Sequence, residues 1–181
     1  MFSPGRILGD FSIEFWTYTT TISDNTTFFT WRGVNKVKSR FISQKIKGYI
    51  EKRKVLWVFD NFFIPEDFSK YSIKVSGKTK LIPNQWNHHI IRYNSKFGYI
   101  EYLMNGKPED IAYTTPTFME NNHIYPPYVG NFSKNQFTIG ENLNGFIDEF
   151  RISESFIENP SLNDYTKKGD FFTKVYILDD N

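Results

Sequence analysis

Short runs of aromatic and β-branched residues recur along the 181-residue chain, each closed by a turn signal. Such a rhythm predicts an all-β domain, because these side chains suit a pleated, half-buried surface and Gly, Pro and Asn punctuate it. Phe11 to Tyr18 shows the pattern best: Phe11, Ile13 and Phe15 fall on one face, and Ser12, Glu14 and Trp16 on the other. Thr27 to Trp31 reads as the next strand, ended by Gly33. Arg40 to Ile50, Val55 to Asn61, Tyr71 to Val75, Trp86 to Tyr93 and Gly98 to Met104 follow. Asn105-Gly106 then suits a tight hairpin turn, since both residues tolerate positive φ, and Lys107 to Tyr113 returns. Phe62 to Lys70 reads as a loop or one short helical turn. Residues 114–135, with Pro116, Pro126 and Pro127, read as a long irregular connection. Phe137 to Gly140 and Gly145 to Ile152 are the next strands. A short helical turn within Ser155 to Tyr165 and a last strand, Phe172 to Leu178, close the chain.

Aromatic residues make up 19% of the sequence and cysteine is absent. A disulfide framework, a thiolate metal site and a catalytic thiol are therefore excluded together. No apolar run is long enough to span a bilayer as a helix. The opening Met1-Phe2-Ser3-Pro4-Gly5 lacks the charged and apolar stretches of a signal peptide, which leaves a cytoplasmic protein, an excised domain or a mature chain, and we expect excision. The net charge of +2 conceals an asymmetry. Lys36, Lys38, Arg40, Lys45, Lys47, Lys52, Arg53 and Lys54 crowd one segment beside Glu51 alone, whereas the chain beyond Glu141 is rich in acids. A dipolar surface of this kind can steer a charged partner.

Three ordered segments resemble the laminin G-like jelly-roll domain of the concanavalin A-like superfamily. They are Phe11-Ser12-Ile13-Glu14-Phe15-Trp16; Gln85 to Tyr93 with Gly98 to Gly106; and Phe137-Thr138-Ile139-Gly140 with Gly145 to Ile152. The resemblance covers residues 10–153 and implies one two-sheet antiparallel jelly-roll sandwich for residues 1–181. Residues 154–181 form a C-terminal extension to it. Only about ten residues precede the first segment and the extension runs past the usual family end, so we expect a piece of a larger polypeptide.

The resemblance also frames the candidate chemistry. Many members of the family bind one calcium ion at the sandwich rim. Asp148 is the residue implied for that role, with Asn144 and Asp10 as further hard-oxygen donors. Laminin G-like domains include polyanion binders, which makes Lys45, Lys47, Lys52 and Arg53 candidates for sulfated glycans or anionic lipid headgroups. Trp31, Trp57, Tyr125 and Tyr128 are candidate platforms for sugar rings, whereas Trp16 and Trp86 belong to the signature strands and read as structural. The superfamily contains glycosidases, which need two carboxylates across a groove. Glu14 and Glu101 are the strand carboxylates to consider, against the alternative of ordinary exposed positions. His88 and His89 are adjacent on a strand and point to opposite faces, so they cannot chelate one ion. His123 lies in the long loop without ligand spacing. Asn25-Thr26-Thr27 and Asn131-Phe132-Ser133 match the glycosylation acceptor pattern.

The expected function is non-catalytic recognition of a glycan or protein ligand in a surface or periplasmic protein. An architectural module between domains of a long envelope protein is the alternative, and a hydrolase is the third reading. No nucleic-acid motif accompanies the charge.

Overall fold

The computed structural model describes residues 1–120, 122–132 and 136–158. Ten strands follow in order: β1 (Phe11–Thr19), β2 (Thr27–Val37), β3 (Arg40–Glu51), β4 (Lys54–Asp60), β5 (Ser72–Ser76), β6 (Trp86–Asn94), β7 (Tyr99–Met104), β8 (Lys107–Tyr113), β9 (Gln136–Glu141) and β10 (Gly145–Ser153). They form two five-stranded antiparallel sheets, ordered β10-β1-β6-β7-β8 and β5-β4-β3-β2-β9. This is a jelly-roll sandwich, as the sequence led us to expect.

Local chemistry explains the elements. Asn105 and Gly106 both take positive φ (51° and 72°) in the β7–β8 turn. Lys52 and Arg53 do the same between β3 and β4 (50° and 65°), without the residues that make such a turn cheap. β2 runs on through Gly33 to Val37, six residues beyond the expected end at Trp31. Gly33 pairs with Gln44 inside the β2–β3 ladder, so this glycine lies within a strand instead of ending one. The last turn before β5 is loop throughout, with Phe62 and Phe63 plugging the end of the sandwich.

Alternation sends one face of each sheet inward. Phe11, Ile13 and Phe15 of β1, Ile91 and Tyr93 of β6 and Ile100 and Tyr102 of β7 meet Trp31, Ile46, Trp57, Phe59 and Val75 from the other sheet. Phe15 lies 5.8 Å from Phe28 and 6.1 Å from Trp57, ring centre to ring centre, so aromatic packing joins the two layers. Gln44 is one of the buried polar side chains of this interior. Its amide donates to the Asn61 and Tyr128 carbonyls at 2.8 and 2.9 Å and accepts the Gly130 N–H at 2.7 Å. One side chain thus ties the irregular connection to the second sheet with every bond satisfied.

Within the described part of the extension, residues 154–158 cross the outer face of the first sheet. Arg92 donates to the carbonyls of Ile157 and Glu158, and Ser12 joins the strap through Ser155 and Ile157. The Phe156 ring lies 4.4 Å from the Arg92 guanidinium. The expected last strand, Phe172 to Leu178, and most of the expected helical turn up to Tyr165 lie outside the described residues.

Candidate functional site

The outer face of the second sheet gathers the basic residues. Strand register places Arg32, Lys45, Asp60 and Ser72 in one row across β2, β3, β4 and β5, and Thr30, Lys47, Val58 and Lys74 in the next. Odd and even positions separate on a pleat, so these polar side chains leave on the face opposite Trp31, Ile46 and Trp57. Lys45 and Asp60 form an ion pair at 3.0 Å, and Asp60 accepts the Ser72 hydroxyl at 2.6 Å. Partial burial alone would raise the Asp60 carboxyl, but the Ser72 bond and the Lys45 and Lys74 charges hold it below its ordinary value. Lys47 lies over the Tyr49 ring at 4.5 Å.

A groove of about 520 Å³ opens at one end of this face, lined by Arg32, Ser43, Gln44, Lys45, Asp60, Asn61, Lys70, Tyr71 and Ser72. Three cations face one acid there, beside hydroxyl and amide groups. Tyr71 forms part of the wall. Its hydroxyl donates to the Thr115 carbonyl at 3.2 Å, and burial pushes its ionisation above the ordinary tyrosine range. Arg32 and Lys70 enter from strands and loops outside the charged run, so a linear reading of that run misses them. Within the run, Lys36, Lys45, Lys47 and Lys54 fall at outward strand positions of this sheet, and of these only Lys45 lines the groove. Lys52 and Arg53 occupy the β3–β4 turn, where Arg53 donates to the Leu81 carbonyl at 3.1 Å.

The aromatic candidates are redistributed. Trp31 and Trp57 are 0% exposed and belong to the core, so they offer no surface to a sugar. Their indole N–H groups find no hydrogen-bond partner among the described residues. Both faces of β4 are covered from Val55 to Phe59, which is why alternation could not tell Trp57 from a surface tryptophan. Tyr125 packs edge-on against Tyr71 at 5.0 Å, one layer behind the groove. Tyr128 serves through its backbone, bonding Phe62 and Gln44.

The residues expected to hold calcium do not converge. Asp10 precedes β1 and accepts the Ser95 N–H and hydroxyl at 2.7 Å. Asp148 faces Trp16 six residues further along β1, and the Asn144 carbonyl caps Thr20 beyond the far end. At the strand rise, about 20 Å separates Asp10 from Asp148 and about 30 Å from Asn144. Asp148 instead accepts the Glu149 N–H at 2.7 Å, where the β1–β10 ladder shifts register. Among the described residues no cluster of three or more His, Asp or Glu side chains could hold a metal ion. The donor set therefore does not fit a calcium site built from these three residues.

The outer face of the first sheet carries a buried polar layer instead of the exposed positions expected. Glu14 receives His88 at 2.8 Å and Arg151 at 3.0 Å on its two oxygens. Burial pulls its carboxyl upward, but the His88 bond and the Arg151 charge outweigh this and leave it below the ordinary value. Arg92 grips Glu101 through two nitrogens at 2.9 and 2.7 Å. Glu14 and Glu101 stand two strands and two residues apart, about 12 Å between Cα atoms at ordinary sheet spacing. His88 and His89 do point to opposite faces. His89 turns inward between the Thr17 and Tyr102 hydroxyls at 2.9 and 2.7 Å, and burial lowers its pKa to about 3. His123 lies on the surface, 3.3 Å from Glu66. Of the two glycosylation patterns, Asn131 uses its side-chain oxygen to accept the Lys36 N–H at 3.1 Å, and Ser133 lies outside the described residues.

No family model matches the chain. No curated protein matches it in sequence. Solved structures do match its shape. The CBM40 domain of the Ruminococcus gnavus IT-sialidase aligns at a TM-score of 0.56 and 13% identity, over 90% of this chain and 85% of that one. The same domain bound to α2,3-sialyllactose aligns at 0.57 and 10% identity, over 88% and 83%. A heptameric SAP-like pentraxin from Limulus polyphemus aligns at 0.50 and 11% identity, over 86% and 69%. All are lectin-like jelly-roll sandwiches, and at these identities the likeness concerns the fold.

Proposed function

We propose that this domain is a non-catalytic module that recognises an acidic glycan across the outer face of the second sheet. The observation that carries this reading is the convergence of Arg32, Lys45 and Lys70 on one open groove, with Ser43, Asn61 and Ser72 at hand for sugar hydroxyls. Guanidinium and ammonium groups supply charge-assisted bonds to carboxylate or sulfate, and neighbouring polar groups fix orientation. The carbohydrate-binding modules among the similar structures support this reading, one of them holding an acidic glycan. They also favour a working place on a cell surface or in the periplasm, where such glycans are met.

Hydrolysis fits less well. Glu14 is held by Arg151 and His88 and Glu101 by Arg92, so neither carboxylate is free to act as acid or nucleophile. The architectural alternative rests on one observation: Phe137 and Ile139 face the seam between the sheets from edge strand β9 and remain exposed.

The deciding experiment is a glycan array at physiological salt with sulfated, sialylated and neutral members. The reading expects binding to acidic members that falls in the Arg32→Gln/Lys45→Gln variant. Binding to neutral glycans alone, or a variant that binds as the parent does, refutes it.

A further inference from the structure

At the end of the same face, the hairpin joining β2 and β3 carries two exposed aromatic rings among cations. Lys36 and Phe41 face each other across the ladder, and Phe132 arrives from the long connection. Phe41 is 57% exposed and Phe132 51%. Their ring centres are 4.5 Å apart, inclined at 57°, and the Lys36 ammonium lies 5.6 Å from each. The pair is fixed by the backbone: the Phe132 N–H donates to the Val34 carbonyl at 3.1 Å, and the Asn131 side chain accepts the Lys36 N–H. Lys38 and Arg40 stand exposed at the turn. No acid occurs in the sequence between Asp24 and Glu51.

We infer that this hairpin end is a membrane-interface element that seats the domain on an anionic lipid surface. Two rings inclined to one another present no common plane for a sugar, but they fill volume in the zone between headgroups and acyl chains. Lys36, Lys38 and Arg40 surround them with long apolar stems, which lie along lipid while the charged heads reach phosphate. The run without acids leaves these charges uncompensated by neighbours in sequence, so their complement is a negatively charged surface. The element borders the groove at Ser43 but shares none of its lining residues, and Lys36 stands about 13 Å along β2 from Arg32, so it does not depend on the glycan reading.

The test is co-sedimentation of the full chain with vesicles of phosphatidylcholine alone or mixed with phosphatidylglycerol. Binding to the mixed vesicles and not to the neutral ones is expected. At about 1 kcal/mol per cation, Lys36→Gln/Lys38→Gln/Arg40→Gln lowers partitioning by about a hundredfold. Phe41→Ser/Phe132→Ser, which keeps every charge, lowers it about tenfold or more, since each ring has exposed area left to bury. Lys45→Gln/Lys47→Gln retains most of the binding. Three results overturn the proposal: no binding to anionic vesicles, undiminished binding by the phenylalanine variant, or loss confined to the Lys45/Lys47 variant. Glycan-array binding should survive the hairpin substitutions, which separates failure here from failure of the glycan reading.

Discussion

A single methyl group added at Gly48 tests how tightly the two layers close. Gly48 pairs with Trp57 across the β3–β4 ladder, and the six-membered ring of the indole closes over it. A Cβ at this position would stand 2.8 Å from two atoms of the six-membered ring. Trp57 has no room to retreat, because it is fully buried with Phe15 at 6.1 Å and Phe59 at 6.4 Å. Two effects oppose each other. Replacing glycine in a strand interior by alanine ordinarily stabilises by about 0.5–1 kcal/mol, through lost freedom of the unfolded chain. Forcing a methyl into a filled core costs about 1–3 kcal/mol. The collision wins, and Gly48→Ala should destabilise by about 1–2 kcal/mol, lowering the melting temperature by about 2–8 °C for a domain of this size. Urea unfolding followed by tryptophan fluorescence measures it. The sharper form is a double-mutant cycle with Trp57→Phe, which removes the colliding atoms and leaves a cavity. The two changes should then couple by about 1 kcal/mol or more in the relieving direction. A Gly48→Ala protein as stable as the parent, or two additive losses, would refute the packing described.

Lys52→Asn should stabilise the domain by about 1 kcal/mol, because it places a residue tolerant of positive φ in a turn now made by lysine and arginine; chemical denaturation checks it. His89 stays neutral in the folded protein and binds a proton once unfolded. Its contribution is therefore fully present above pH 6.5 and is lost as pH falls toward 3, at about 1.4 kcal/mol per pH unit. Denaturation midpoints measured between these pH values, compared with His89→Gln, should show that slope and its loss. Arg92→Lys should free the 154–158 strap, since lysine cannot hold Glu101 and two carbonyls together; faster hydrogen exchange at Ile157 is the readout. Chelators should leave the melting temperature unchanged, given the wide separation of Asp10, Asp148 and Asn144.

Strand boundaries were largely legible because period-two alternation and turn residues are local signals. Lys107 to Tyr113 coincides with β8, and the Asn105-Gly106 turn lies where its chemistry puts it. Gly33 misled because an isolated glycine ends a strand in one context and lies within a ladder in another. The site was less legible. Which of two opposite faces turns outward depends on what covers each, so Trp31 and Trp57 could not be assigned from their strands alone. Lys45 and Lys47 were visible as part of a charged run, but their neighbours Arg32, Lys70 and Lys74 are brought in by pairing between distant segments. Glu14, His88 and Arg151 likewise meet only through the β10-β1-β6 register.

The most direct test of the glycan account is backbone amide mapping by NMR while a sialylated or sulfated oligosaccharide is titrated into the protein. The account predicts shifts at Arg32, Lys45, Asp60, Lys70 and Ser72 that weaken as salt is raised. Shifts confined to the opposite face around Glu14 and His88, or no shifts with any acidic glycan, would contradict it.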